Sequence, residues 1–247
     1  MGVSVAVRWR ETSKESVLKA LRLPAGISLV VGFIFPFIYG NGFDTRVFLG
    51  ISVSLWVMST VLMEFMGKFR NATTLSTKLK QLSLSYYGMM VAHVGVAVTA
   101  IGITLVSTYS EERDMRMGKG DSVELAGYQF TFQGTRVVKG VNYMADQATI
   151  EVSEENEPVV TLHPEKRRYN VKRSMMTEAD IDAGLFRDLY VALGEPLEGG
   201  AWAVRMHYKP YVRWLWLGGM LMGLGGLLTV ADKRYRKNDA QQESAHA

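Results

Sequence analysis

Four histidines and no cysteine among 247 residues bound the chemistry of this chain. Without thiols it can form no disulfide, zinc–thiolate site or iron–sulfur cluster, and it can carry out no thiol redox chemistry. His163 precedes Pro164 in a polar segment and reads as an exposed loop histidine. His207 falls in the alternating run AWAVRMHY and reads as half-buried or interfacial. His93 differs from both, because it interrupts the apolar run YYGMMVAHVGVAVTAIGITLVS. An ionisable side chain in such a setting marks a functional site by default. The neutral imidazole is its cheaper form there, and it is also the form that ligates metal. A hydrogen bond to a neighbouring helix is an equally open reading.

The surroundings of His93 sharpen the question. Helical spacing places Tyr86, Met89, Met90, Val96, Ala97, Ala100 and Thr104 near its face. The small C-terminal side of that face leaves room for a large planar group against Ala97 and Ala100, or for close helix packing. A haem with two axial ligands needs a second one, and no other histidine lies in an apolar run. Met58, Met63 and Met66 read as packing residues, with a methionine axial ligand as the alternative, and Glu64 reads as a side chain snorkelling to an interface, with proton transfer as its alternative. The acidic group Glu154, Glu155 and Glu157 reads as a solvated turn. Nothing brackets paired carboxylates with a pocket, so a hydrolase has no support.

The element carrying His93 is one of four. Hydrophobic windows long enough to cross a bilayer lie at about 21–39, 47–66, 86–107 and 214–231. Charge is sparse within them and dense between them. The segments that must share one side of a membrane hold 13 basic residues, among them Arg8, Arg10, Lys78, Lys80, Arg234 and Arg236. The short first loop, by contrast, holds only Arg46. The positive-inside rule therefore puts both termini in the cytoplasm. The overall charge of +4 sets orientation and is no patch for phosphates, so no nucleic-acid partner is expected. No cleavable leader is visible in the first 20 residues, and the first window would serve as an uncleaved anchor. The fourth span carries a G-x-x-x-G spacing at Gly219 and Gly223, with Gly218, Gly225 and Gly226 nearby, and this small-residue surface reads as helix packing. Trp214, Trp216, Tyr208 and Tyr211 read as an aromatic belt at the outer interface.

The expected fold is an integral membrane α-helical protein of four transmembrane helices, with a small mainly-β extracytoplasmic domain between helices 3 and 4. The expected divisions are a cytoplasmic segment 1–22, three transmembrane helices within 23–107 (about 23–39, 47–66 and 86–107), a periplasmic domain 108–210, a fourth helix 211–231 and a cytoplasmic tail 232–247. Within the outer domain, Tyr128, Phe130 and Phe132 share one face of a period-2 stretch. The runs QATIEVS and PVVTLH flank a polar turn at Glu154–Asn156. In MTEADIDAGLFRDLYVALGEP, Thr177 is placed to cap a short helical turn with acidic residues at its start.

Three segments together resemble one known family. MMVAHVGVAVTAIGI at 89–103, DAGLFRDLYVALGEP at 182–196 and AWAVRMHYKPYVRWLWLGGMLMGLGGLL at 201–228 are similar to the histidine-bearing helix, last outer segment and final helix of the CcmF family of cytochrome c maturation proteins. The likeness runs from about 24 to 237. It implies a role in cytochrome c-type biogenesis as the C-terminal component of a haem lyase in the bacterial inner membrane. Haem attachment forms carbon–sulfur bonds between haem vinyl groups and the thiols of an apocytochrome C-x-x-C-H motif. The resemblance further implies a b-type haem held in the membrane, with His93 as an axial iron ligand and the other ligand supplied elsewhere. It implies as partners an N-terminal lyase part bearing a tryptophan-rich motif, a haem chaperone, apocytochrome c with its thiol-handling maturation proteins, and membrane lipid.

The departures from the family pattern matter as well. The tryptophan-rich motif, the two outer histidines beside it and the first membrane histidine have no counterpart among these residues. The chain therefore reads as the C-terminal part of a lyase, from a split gene or a truncated frame, and not active alone. The same sequence admits a non-catalytic membrane scaffold whose outer domain docks apocytochrome or maturation partners. A transporter has little to recommend it, since no inverted repeat is apparent.

Overall fold

The computed structural model describes residues 14–40, 42–69, 82–171 and 174–232. The basic residues Arg8, Arg10, Arg70, Lys78 and Lys80 and those after 232 lie outside the described residues. The chain divides into two compact units, 1–108 with 214–247, and 109–213.

Among the described residues, the first unit holds four long helices: α1 Lys14–Tyr39, α2 Thr45–Phe69, α3 Leu84–Tyr109 and α4 Val212–Val230, the last beginning in the second unit. Each contains a stretch long and apolar enough to cross a membrane, at Leu21–Tyr39, Thr45–Lys68, Leu84–Tyr109 and Val212–Val230. Their starts are specified locally. Asp44 Oδ1 accepts from the Arg46 and Val47 amides at 2.7 and 3.1 Å, so its carboxylate caps α2 where the helix dipole favours negative charge. Ser83 Oγ accepts from the Tyr86 amide at 3.2 Å at the head of α3. α1 contains Pro24 and Pro36, and the Pro24 carbonyl accepts from Ser28 Oγ at 2.7 Å.

Glycine decides how closely these helices approach. On α3, Gly88, Gly95 and Gly102 recur every seven residues, a spacing that keeps them on one side of a helix. That side lies on α4. A Cβ at Gly95 would sit 2.7 Å from the Gly218 carbonyl, and one at Gly218 would sit 2.6 Å from the Gly95 carbonyl. Gly88 and Gly225 face each other in the same reciprocal way. Backbone therefore meets backbone along an antiparallel seam. Of the small residues in the fourth span, Gly218 and Gly225 carry this packing, and among the described residues nothing lies within 4 Å of a Cβ at Gly219 or Gly223. Gly32 lies against Ser52 to join α1 to α2, and Gly50 lies against Thr104 to join α2 to α3. Asp232, just past α4, accepts from the Ser85 amide at 2.9 Å and so caps α3 from the far end of the seam.

The second unit is an antiparallel β-sandwich with ten strands among the described residues: β1 Glu111–Met117, β2 Ser122–Leu125, β3 Tyr128–Lys139, β4 Tyr143–Glu154, β5 Glu157–Leu162, β6 Glu165–Tyr169, β7 Met175–Glu178, β8 Asp180–Ala183, β9 Arg187–Pro196 and β10 Trp202–Pro210. One sheet has the order β1-β10-β9-β8, and the other has β2-β3-β4-β6-β7 with β5 also on β4. Alternation buries one face of each sheet. Phe130, Phe132, Ile150 and Val152 meet Leu189, Val191, Leu193, Val204 and Met206 between the sheets. The polar turn after β4 places Glu155 and Asn156 at positive φ, and Ala126 and Gly127 do the same between β2 and β3. These are two-residue hairpin turns whose twist suits antiparallel strands.

Residues 175–178 form a strand, which corrects the helical turn expected at Thr177. β7 pairs with β6 through Lys166↔Thr177 and Glu165↔Glu178. The Thr177 hydroxyl accepts from Lys166 Nζ at 3.1 Å and donates to the Leu193 carbonyl at 3.3 Å. Cross-strand partners outweigh the local capping preference.

Candidate functional site

His93 lies in the middle of α3, half-buried. Its Nδ1 is 2.8 Å from the Met89 carbonyl one turn earlier. A carbonyl can only accept, so Nδ1 carries the proton. In the neutral imidazole Nε2 then keeps its lone pair, on the edge of the ring away from the Met89 carbonyl, with no hydrogen bond from any described residue. An Nδ1–H bonded to a backbone carbonyl is the arrangement that fixes the tautomer and ring orientation of metal-binding histidines.

Neighbouring helices settle which sides of α3 remain available. Tyr86 and Thr104 lie about two turns before and three turns after His93, on its side of the helix. Both meet α2: Lys68 Nζ stands 5.7 Å above the Tyr86 ring, and Gly50 lies against Thr104. Ala97, between them, is only 1% exposed. Ala97 therefore leaves no room for the planar group expected against it, because protein already covers that residue. The open flank runs beside it through Met89, Val96 and Ala100, all half-buried, to the exposed Ile103. His93 stands on the edge of this flank.

The other candidates are held in structural roles. Glu64 is paired with Lys68 at 3.1 Å, one turn along α2. Met58 lines an apolar hollow of about 420 Å³ with Ile27, Val31, Leu62, Met90 and Val94. His163 is exposed, its amide donating to Asp180 Oδ2 at 2.6 Å. His207 stands on the outer face of the four-stranded sheet, edge-on to Tyr190 with ring centres 5.0 Å apart and 3.5 Å from Glu112 Oε2. Burial holds its pKa below the usual histidine value against the opposing pull of Glu112. Arg205 on the same face forms a two-pronged pair with Asp114, both contacts at 2.7 Å. Of the aromatic belt, Trp216 is exposed, but Tyr208 stacks on Tyr128 at 6.0 Å at the margin of the sandwich core. Among the described residues, no three histidine, aspartate or glutamate side chains cluster as a metal site. The α3 side of the glycine seam and the Asp232 cap were missed from sequence, although the seven-residue spacing of Gly88, Gly95 and Gly102 was there to find the first.

These features define a class: four apolar helices with an antiparallel β-sandwich set between the third and fourth, and one histidine within the third. A family model described as the CcmF C-terminal β-sandwich matches residues 108–210. The chain is 49% identical over 236 residues to the cytochrome c-type biogenesis protein CcmF of Pseudomonas aeruginosa, covering 96% of this chain and 36% of that protein. It is 42% identical over 245 residues to CcmF of Escherichia coli, covering 99% of this chain and 37% of that protein. The solved structure of the cytochrome c heme lyase CcmF superposes with a TM-score of 0.72 at 22% identity, over 93% of this chain and 37% of that one, a likeness of fold. The chain belongs to the CcmF family and corresponds to its C-terminal part, spanning little more than a third of the length of these relatives.

Proposed function

We propose that this chain crosses a bacterial inner membrane four times, with both termini cytoplasmic and residues 108–210 in the periplasm. There it acts as the C-terminal component of a cytochrome c haem lyase. It contributes His93 as one axial ligand of a membrane b-type haem, with the second ligand coming from the N-terminal part of the lyase or another polypeptide.

The observation that carries this reading is the Nδ1–H bond of His93 to the Met89 carbonyl inside an apolar helix. It fixes the ring and directs Nε2 away from its own backbone. The donor fits the group: a neutral imidazole nitrogen is a normal haem ligand, and haem iron asks for only one or two protein atoms. What such a haem supplies when bound is a reversible one-electron iron couple, suited to keeping an arriving haem iron reduced. This chain supplies the imidazole, the rotamer lock and an apolar flank at Met89, Val96 and Ala100 that excludes water. The β-sandwich supplies a periplasmic platform for the haem chaperone and the apocytochrome.

The test is co-expression with the remainder of a CcmF protein, followed by reduced-minus-oxidised spectra of the purified complex. His93→Ala should lose the b-type absorption, and exogenous imidazole should restore part of it. A mutant spectrum matching wild type would remove the ligand assignment.

A further inference from the structure

The turn between β8 and β9 breaks the burial pattern of the sandwich. Leu185 and Phe186 stand side by side at its tip, 53% and 58% exposed, where a hairpin turn is ordinarily polar. The turn is rigidly built. The Gly184 amide donates to the Arg187 carbonyl at 2.9 Å, and Arg187 is ion-paired with Asp182 and set over the Tyr128 ring. Its apolar tip is therefore presented in a fixed position.

That position is tied to one point in the chain. The Tyr211 amide donates to the Phe186 carbonyl at 2.9 Å, and the two rings meet edge to face at 5.9 Å. Tyr211 is the residue before α4, whose apolar stretch begins at Val212. Phe186 is thus fixed to the residue at which the chain passes into α4. Arg213, exposed in the first turn of α4, belongs to the same collar. Aromatic residues with basic neighbours are the composition of the headgroup zone.

We infer that the β8–β9 turn is a membrane-docking wedge: Leu185 and Phe186 insert into the lipid interface beside the start of α4 and anchor the sandwich to the bilayer surface. The occupant of this apolar tip is lipid, because the tip is bonded to the residue from which a spanning helix departs and no described residue covers it. The inference rests on the four-span reading of α4.

The native chain has no cysteine, so a single one can be labelled without background. The full chain, carrying Phe186→Cys or Leu185→Cys with an environment-sensitive fluorophore, would be reconstituted into phosphatidylethanolamine–phosphatidylglycerol vesicles. Quenching by lipids nitroxide-labelled near the headgroup or along the acyl chain is compared with quenching by aqueous iodide. Val141→Cys, beyond the opposite end of β3, serves as the exposed control, and Met220→Cys reports on α4. The expected result is loss of most emission to the headgroup-level quencher at 185 and 186, little loss to iodide, and the reverse at 141. Iodide quenching at 186 equal to that at 141 would overturn the wedge. Protection from both quenchers would also overturn it and identify a protein occupant. Absence of lipid quenching at 220 would mean that α4 does not span, which fails the underlying topology; lipid quenching at 220 without any at 186 fails the wedge alone.

Discussion

A buried or half-buried histidine does work according to which nitrogen is occupied, and this chain contains two contrasting cases. His93 commits Nδ1 to its own helix and leaves Nε2 open. The sequence exposes this residue because a lone ionisable group stands out in an apolar run, but its rotamer is invisible there, as is the covering of Ala97. His207 sits among Glu112, Asp114, Arg205 and Lys209, with burial outweighing the acidic neighbours so that its pKa lies below 6.5 when folded. The unfolded chain therefore takes up the proton more readily than the folded one. The contribution of His207 to stability is fully present above the unfolded pKa and declines as the pH falls through about 6.5 and below. In detergent, thermal melts of wild type and His207→Gln should converge at pH 8 and separate towards pH 5, with the variant losing less of its melting temperature. Parallel losses in both proteins would remove His207 from the acid response.

At the scale of elements, the alternating strands were the most legible part of the sequence. Tyr128, Phe130 and Phe132 fall on the buried face as their period requires. Thr177 was not legible, because the strand it joins is fixed by its partners in β6 and β9 and not by its own neighbours in the chain. The glycines of α4 show the same division. Composition announces a small-residue surface, but only the partner helix determines which side of it is used. Gly218→Val would drive a side chain into the Gly95 carbonyl, and overpacking of this kind costs about 1–3 kcal/mol or separates the helices. Gly219→Val, one residue away, meets no described residue and gains helix propensity from losing glycine. Thermal stability in detergent should fall by several degrees for the first and hold or rise for the second. Equal losses would mean that the seam does not run through Gly218. A loss at Gly219 confined to the co-expressed complex would show that this face meets the rest of the lyase.

At the scale of the whole molecule, the order of elements places the β-sandwich between α3 and α4, so its side of the membrane follows from the parity of the spans before it. On the proposed topology, three crossings from a cytoplasmic start would deliver Tyr109 outside, and α4 would return the chain. The charge distribution argues in the same direction through the short first loop, which holds one arginine; the long domain is exempt from the rule and its charge does not vote. α1 carries the weakest link of this parity, since it contains two prolines and its charge-free stretch is short. Proline in a spanning helix is tolerated where neighbouring helices and serine hydroxyls support the backbone around it. The Ser28 hydroxyl bonds the Pro24 carbonyl, and Gly32 seats α1 directly on Ser52 of α2. Alkaline phosphatase fused after Gly42 and after Ser153 should be active at both sites, and green fluorescent protein at the same points should be dark. Because α2 and α3 form an even pair of crossings, these two points share a side whenever both of those helices span. Silence of the phosphatase at both would therefore mean that α1 fails to cross from a cytoplasmic start, and activity at one alone would break α2 or α3 instead. The loss of α1 as a crossing would put the N-terminal segment and the sandwich on the same side, while His93 would keep its place in the middle of α3, so the ligand assignment and the topology fail independently.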